Sequence, residues 1–328
     1  MWSTPSSMKQ VTCSVPQGSV LRSLLFLLYT AILQTWQPSM VWRYVFADDT
    51  QVYIHCEFHN MAPSRDVLER CIQDIGHLMS ANSLKLNPDK TELLWTGTRH
   101  NLSRLTDGEP RLVLGTEVID TSACLHEVTF TPDLYLEKHA SIVSGKCFFQ
   151  LCQLRRVRCS LDSEAASTLI HSFVSNRVDY CNCLMAGARK QWTEKLQRVI
   201  NAAACILKQM KKYDRGLTRI LHDELHWLDM SERIQFKLCV HVYKCLHGIA
   251  PKYMMNLCRP LSAIEGRSYL RSAARGQLDV SRPKLSTYGK RAFTYTGSSA
   301  WNALPNYLKD SSSTLVMFKR SLKTFLFS

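Results

Sequence analysis

Near residue 130 the hydrophobic spacing of this chain changes, and the change restricts it to a mixed fold with its strands before the break. Upstream, Tyr44-Val45-Phe46 and Thr50 to His55 are rich in aromatic and β-branched residues, with only Ala47-Asp48-Asp49 between them. That pattern predicts a hairpin with two acids at its tip, and short strand-like pieces follow over 112–130. Downstream, apolar residues recur at helical spacing over 134–158, 163–178, 190–212 and 230–248. In the third stretch Leu196, Val199, Ile200, Ala203, Leu207 and Met210 form one face, and Lys195, Arg198, Lys208 and Lys211 lie off it. Helical spacing also appears before the break. It runs over 19–33 after the Pro16-Gln17-Gly18 turn, and over 65–80 through Leu68, Cys71, Ile72, Ile75 and Met79, with Pro63-Ser64 marking the start. The fold expected is α+β.

A length of 328 residues exceeds what one core usually serves. The pattern divides it into 1–130, a helical segment over 131–215, and a mostly helical 216–328 in which the Arg-, Ser- and Gly-rich stretch 266–289 reads as a mobile basic linker. Hydrophobic residues at 45% argue against disorder as the default. The 41 Lys and Arg against 27 Asp and Glu give +14, which favours a polyanionic partner such as nucleic acid. The cysteines number 13 and stand singly in apolar runs, so free thiols in a reducing compartment, nucleus or cytoplasm, are expected. The longest apolar run, Leu24 to Leu33, is too short to span a bilayer, and Met1-Trp2-Ser3-Thr4-Pro5 does not read as the start of a signal peptide. Neither secretion nor membrane insertion is expected.

Paired aspartates at a hairpin tip suit phosphoryl transfer, in which carboxylates clamp two divalent metals about 3.5–4 Å apart. Neighbouring strand residues point to opposite faces, so one of the two, Asp48 by preference, would hold the metals and the other would support from behind. Taken alone, an Asp-Asp pair also serves as an ordinary turn. Two basic clusters, Arg155-Arg156-Val157-Arg158 and Lys208 to Arg215 with Lys211 and Lys212, have Phe148, Phe149, Trp192 and Tyr213 nearby. They would hold a duplex through its phosphates, or else form solvated helix faces. Cys239, His241, Cys245 and His247 are four good zinc ligands within nine residues. On one helix, however, Cys239 is turned about 200° from His241, so buried thiols in a packed helix are expected instead. Cys181-Asn182-Cys183 likewise reads as core.

Four blocks occur in order: Val15-Pro16-Gln17-Gly18-Ser19-Val20-Leu21; Leu24-Leu25-Phe26; Phe46-Ala47-Asp48-Asp49-Thr50-Gln51-Val52-Tyr53; and Leu84-Lys85-Leu86-Asn87 with Lys90-Thr91-Glu92. Further on come Asp179-Tyr180-Cys181-Asn182, Leu225-His226-Trp227-Leu228 and Trp301-Asn302-Ala303-Leu304-Pro305. Together they resemble reverse transcriptases of LINE-type (non-LTR) retrotransposons of the jockey-like and chicken-repeat-like kind, over nearly the whole chain from about residue 11. The resemblance implies a partial polymerase palm followed by a thumb-like helical region. It implies metal-binding roles for Asp48 and Asp49 with Mg²⁺ (or Mn²⁺), and a place beside template and incoming nucleotide for Gln17, Gly18 and Phe46. Lys90 would stand near the departing pyrophosphate, and the partners would be an RNA template and a DNA primer.

Three departures accompany the resemblance. Residues 1–47 contain no Asp and no Glu, whereas the family places its first catalytic aspartate, with the fingers, upstream of the Pro-Gln-Gly block. Arg22-Ser23 replaces Gly-Pro, and His126-Glu127 replaces Leu-Gly before Val128-Thr129-Phe130. The expectation is therefore a truncated RNA-directed DNA polymerase fragment, inactive by itself. The alternative is a non-catalytic, basic, nucleic-acid-binding remnant of a decayed element.

Overall fold

The computed structural model describes residues 24, 41–46, 49–82, 84–104, 110–114, 117–211, 214–283, 288–310 and 313–327. They are mixed α and β and mostly helical, and the strands form three two-stranded antiparallel ladders among the described residues. The chain divides into two compact units, Met1–Leu134 and Tyr135–Ser328. The helix expected over 19–33 lies outside the described residues apart from Leu24, which is exposed.

In the first unit β1 (Trp42–Phe46) pairs with β2 (Asp49–Tyr53) in the register Trp42↔Tyr53 to Phe46↔Asp49. Only Ala47 and Asp48 stand between the strand ends, one residue fewer than the Ala47-Asp48-Asp49 connection expected, because Asp49 joins β2 opposite Phe46. The helix α1 (Met61–Ala81) begins earlier than Pro63-Ser64 suggests, because Pro63 sits in its first turn, where a backbone N–H has no intrahelical acceptor to lose. Its stripe Cys71, Ile75 and Met79, spaced by four, is buried and collects Val41, Val52, Leu78, Leu84 and Leu86 around it. Each fully buried aliphatic side chain of this kind contributes roughly 1.5–3 kcal/mol. From the same helix Glu69 Oε1 accepts the backbone N–H of Val113 at 2.8 Å, tying α1 to β3 (Leu112–Leu114), which pairs with β4 (Glu117–Ile119). The last ladder joins β5 (Cys124–Leu125) to β6 (Val128–Thr129) through His126 and Glu127, whose φ values of 47° and 64° are left-handed. A tight turn with both central residues left-handed favours glycine, so these two side chains occupy it under strain.

Counting helices of eight residues or more, the second unit contains α2 (Glu137–Val157), α3 (Ser163–Ile170), α4 (Lys190–Leu207), α5 (Met230–Leu246), α6 (Phe293–Asn302) and α7 (Leu315–Phe327). A π-helical turn, His171–Ser175, carries α3 on into Asn176–Asp179. Asp162 starts α3 by accepting the Ala165 N–H at 2.6 Å, and Asp229 with Glu232 forms a reciprocal capping box at the start of α5. The apolar face read from the sequence of α4 is the one buried: Leu196, Val199, Ile200, Ala203 and Leu207 pack with Trp192 and Ala204. Against it lies α2, with Cys147, Leu151 and Leu154 inward. A second apolar cluster joins α5 to α6 and α7 through Val242, Tyr243, Trp301, Phe318 and Leu322, with the Tyr243 and Phe318 rings stacked at 4.5 Å. Residues 131–215 and 216–328 thus share one unit almost entirely, because α4 and α5 pack together rather than facing separate cores.

Two expectations are corrected here. The stretch 266–279 is not a free linker. Leu278 is buried and exchanges hydrogen bonds with the Asn302 side chain, Arg267 pairs with Asp279 at 2.8 Å, and the Trp301 indole donates to Gly276 O. Its polar composition hid the apolar anchors Ala273 and Leu278. Trp192, one of the aromatic residues expected near the basic clusters to help hold a duplex, is only 2% exposed and meets the edge of Tyr135. Cys239, His241 and Cys245 lie on the single helix α5 with His247 just past its end. Burial pushes the Cys239 thiol up to about 12, and the His247 ring is stacked on Tyr243 at 3.8 Å.

Candidate nucleic-acid interface

The β1–β2 hairpin presents two unlike faces. Val52 packs on the α1 stripe, and Thr50, two residues before it, shares that face. Asp49, Gln51 and Tyr53 take the other face, opposite Phe46, Tyr44 and Trp42 in the register. Asp49 is exposed. Beyond it runs an aromatic ladder: Trp42 stacks on Tyr53 at 6.3 Å and 12°, and Tyr44 on Tyr53 at 5.7 Å and 21°. The Tyr53 hydroxyl donates to that of Tyr44 at 3.5 Å, and this bond together with partial burial pushes the Tyr53 phenol up to about 12. Trp42 remains 65% exposed, so the ladder ends on an open indole face that a base can stack on. Gln51 Nε2 lies 2.7 Å from His126 Nε2, which fixes the β5–β6 turn against β2. Asp48, Gln17 and Gly18 lie outside the described residues, as does the side chain of Phe46.

Lys90 ends a single turn, Pro88–Lys90, which Asn87 closes by accepting the Asp89 N–H at 3.1 Å. Its ammonium is exposed, and no ion pair joins it to Asp49 among the described residues.

In the second unit the first basic cluster separates into two kinds of arginine. Arg155 and Arg156 are exposed at the end of α2, and Phe148 and Phe149, seven residues earlier and so on the same sides of the helix, are 39% and 60% exposed. That combination of guanidinium and open ring is suited to phosphates and bases together. Arg158 differs. It is 6% exposed, and its guanidinium donates to Ile206 O at 3.2 Å, Leu207 O at 2.9 Å and Leu161 O at 2.8 Å. Contrary to the expected phosphate contact, the Arg158 guanidinium is turned inward, and its positive charge closes the C-terminus of α4, where carbonyls lack helical partners and the macrodipole is negative. In the second cluster Lys208 pairs with Glu224 at 2.6 Å, Lys211 is exposed, and Lys212 and Tyr213 lie outside the described residues.

Comparisons with known proteins add no relative. No protein-family model, no curated protein and no solved structure matches the chain. The chemistry is thus read from the residues alone. An exposed carboxylate beside an aromatic ladder can meet a metal and a base, and the α2 end can meet phosphates. The ladder was missed in the sequence, although Trp42 and Tyr44 already stand at the spacing of two that puts residues on one strand face.

Proposed function

We propose that this chain is a segment of an RNA-directed DNA polymerase of the non-LTR retrotransposon kind, with its metal-binding carboxylates on the β1–β2 hairpin and phosphate-binding side chains at the end of α2. One observation carries the reading: the Phe46↔Asp49 register, which leaves Ala47 and Asp48 as the whole connection of a hairpin with one packed and one open face. Adjacent carboxylates are hard oxygen donors suited to Mg²⁺ or Mn²⁺, and the exposure of Asp49 fits that role. A metal held there would supply charge neutralisation for phosphoryl transfer. On this reading Gln17, Gly18 and Phe46 stand near template and nucleotide, Lys90 near the pyrophosphate, and RNA template and DNA primer are the partners. Arg155, Arg156 and Lys211 meet the backbone.

A second reading, a basic nucleic-acid-binding remnant without catalysis, is supported by the net charge of +14, which favours a polyanionic partner whether or not a metal is held. Both readings require nucleic-acid binding. The test is the affinity for an RNA–DNA template–primer as a function of salt. The logarithm of affinity should fall steeply against the logarithm of salt, by roughly 0.7–0.9 for each phosphate contacted. A slope near zero would reject both readings.

A further inference from the structure

We propose that His222, Asp229 and Glu232 form a binding site for a divalent transition metal, with zinc(II) as the occupant its donors suit best. The site belongs to the second unit and does not depend on the polymerase reading. His222 lies in a second π-helical turn, Ile220–Glu224, a rare geometry that is frequent at functional positions. Asp229 and Glu232 open α5. Each of the three residues offers one ligand atom, and these atoms all lie within 4.8 Å of one another.

The capping box accounts for two of the three. Glu232 Oε2 accepts the Asp229 N–H at 2.9 Å, and the Asp229 carboxylate accepts an N–H of the first turn in return. It does not account for His222. Among the described residues the buried His222 Nε2 has no hydrogen-bond partner, and it faces Asp229 Oδ2 at 3.6 Å. That separation is long for a hydrogen bond. It is close to the roughly 3.4 Å between two donors that one zinc ion holds at a tetrahedral angle. Asp229 Oδ1 is steadied by Gln197 Nε2 at 2.8 Å, an outer partner of the kind that orients metal-bound carboxylates. Phe327 sets its ring against His222 at 5.8 Å and so shields one side. The two carboxylate oxygens are hard donors, and it is the borderline imidazole nitrogen that favours zinc over magnesium or calcium, while three protein ligands leave a fourth position for water. A bound ion would pin the π-helical turn to the start of α5 and, through Phe327, hold the end of α7.

Cobalt(II) is the probe, because the chain's many thiols also bind zinc, and a cobalt–thiolate bond announces itself by an intense charge-transfer band that nitrogen and oxygen donors lack. The reduced, metal-stripped full chain should take up one cobalt(II) in a tetrahedral site free of thiolate charge transfer, and zinc(II) should displace it. His222→Ala, which leaves the capping box intact, should weaken this uptake by more than the roughly 10–100-fold typical of losing an outer partner. His222→Gln, which keeps the packed volume, should do the same, and His100→Ala, at an exposed histidine of the first unit, should leave it unchanged. Zinc(II) should also slow hydrogen exchange of backbone amides over 220–232 in the parent chain and not in either His222 variant. Equal cobalt uptake in the parent and both His222 variants, a purely thiolate spectrum, or no change in exchange over 220–232 would overturn the proposal.

Discussion

Replacing Arg158 by Met separates the two roles that its sequence neighbourhood merges. Methionine keeps the apolar stem and deletes a guanidinium that donates to three carbonyls, two of them at the C-terminus of α4. A lost hydrogen bond to a charged donor costs about 1.5–3 kcal/mol, and a carbonyl left buried without a partner about 1–3. The favourable charge at the helix terminus adds up to about 2 kcal/mol. These contributions overlap, and the destabilisation expected is about 3–5 kcal/mol, the range for breaking one side of a buried charged contact. Arg155→Met and Arg156→Met, being exposed, should stay within about 0.5 kcal/mol of the parent. Hydrogen exchange at the α4 amides is the assay, since it reports local opening even where a two-unit chain does not unfold in one step. Protection there should fall roughly 100-fold or more in Arg158→Met. Nucleic-acid binding should show the reverse: Arg155→Met and Arg156→Met together should flatten the salt slope, and Arg158→Met should leave it alone. Unchanged α4 protection in Arg158→Met, or a salt slope that only Arg158→Met reduces, would refute the reasoning.

Glu127→Gly should stabilise the first unit by about 1 kcal/mol, because glycine adopts the φ of 64° without the Cβ penalty and so relieves more than its added chain entropy costs; urea unfolding with a lowered midpoint would contradict this. Burial, helped by Lys146, holds the His139 pKa below 6.5, and burial with Lys244 and Lys237 does the same at His241. The fold thus favours both rings neutral. The stability they contribute is present above pH 6.5 and is lost as pH falls from there through their folded values, a loss that His139→Gln should reduce in melting curves taken over that range. Any template-directed product that this polypeptide makes in primer extension with Mg²⁺ or Mn²⁺ should disappear in Asp48→Ala, since that carboxylate would hold the metal; product that survives the substitution would contradict the proposed role.

The helices were legible because their buried faces are regular: the α4 stripe from Leu196 to Leu207 and the α1 stripe from Cys71 to Met79 are both plain in the residue spacing. The hairpin was equally legible, since two aromatic and β-branched runs admit no other short connection. The fate of Arg158 was not. Its partners Ile206 and Leu207 lie 48 and 49 residues away, and nothing local distinguishes it from Arg155 and Arg156. Trp192 carried a signal that proximity to basic residues masked: it precedes Leu196 by four and so extends the apolar stripe. The His222 grouping was half visible, because Asp229-Met230-Ser231-Glu232 has capping-box spacing, but only the π-helical turn brings His222 to it.

Under the proposed function the β1–β2 hairpin holds a divalent metal beside nucleic acid. The most direct test puts iron(II) in place of magnesium on the full chain bound to an RNA–DNA template–primer, adds peroxide and ascorbate, and maps where radicals formed at the metal cut the backbone. Cutting should centre on residues 46–51, fade as Mg²⁺ is added, and vanish from that segment in the double variant Asp48→Asn, Asp49→Asn, while the salt slope of binding stays unchanged. Cutting at 46–51 that is equal in the parent and the double variant, or absent from that segment altogether, would contradict the claim.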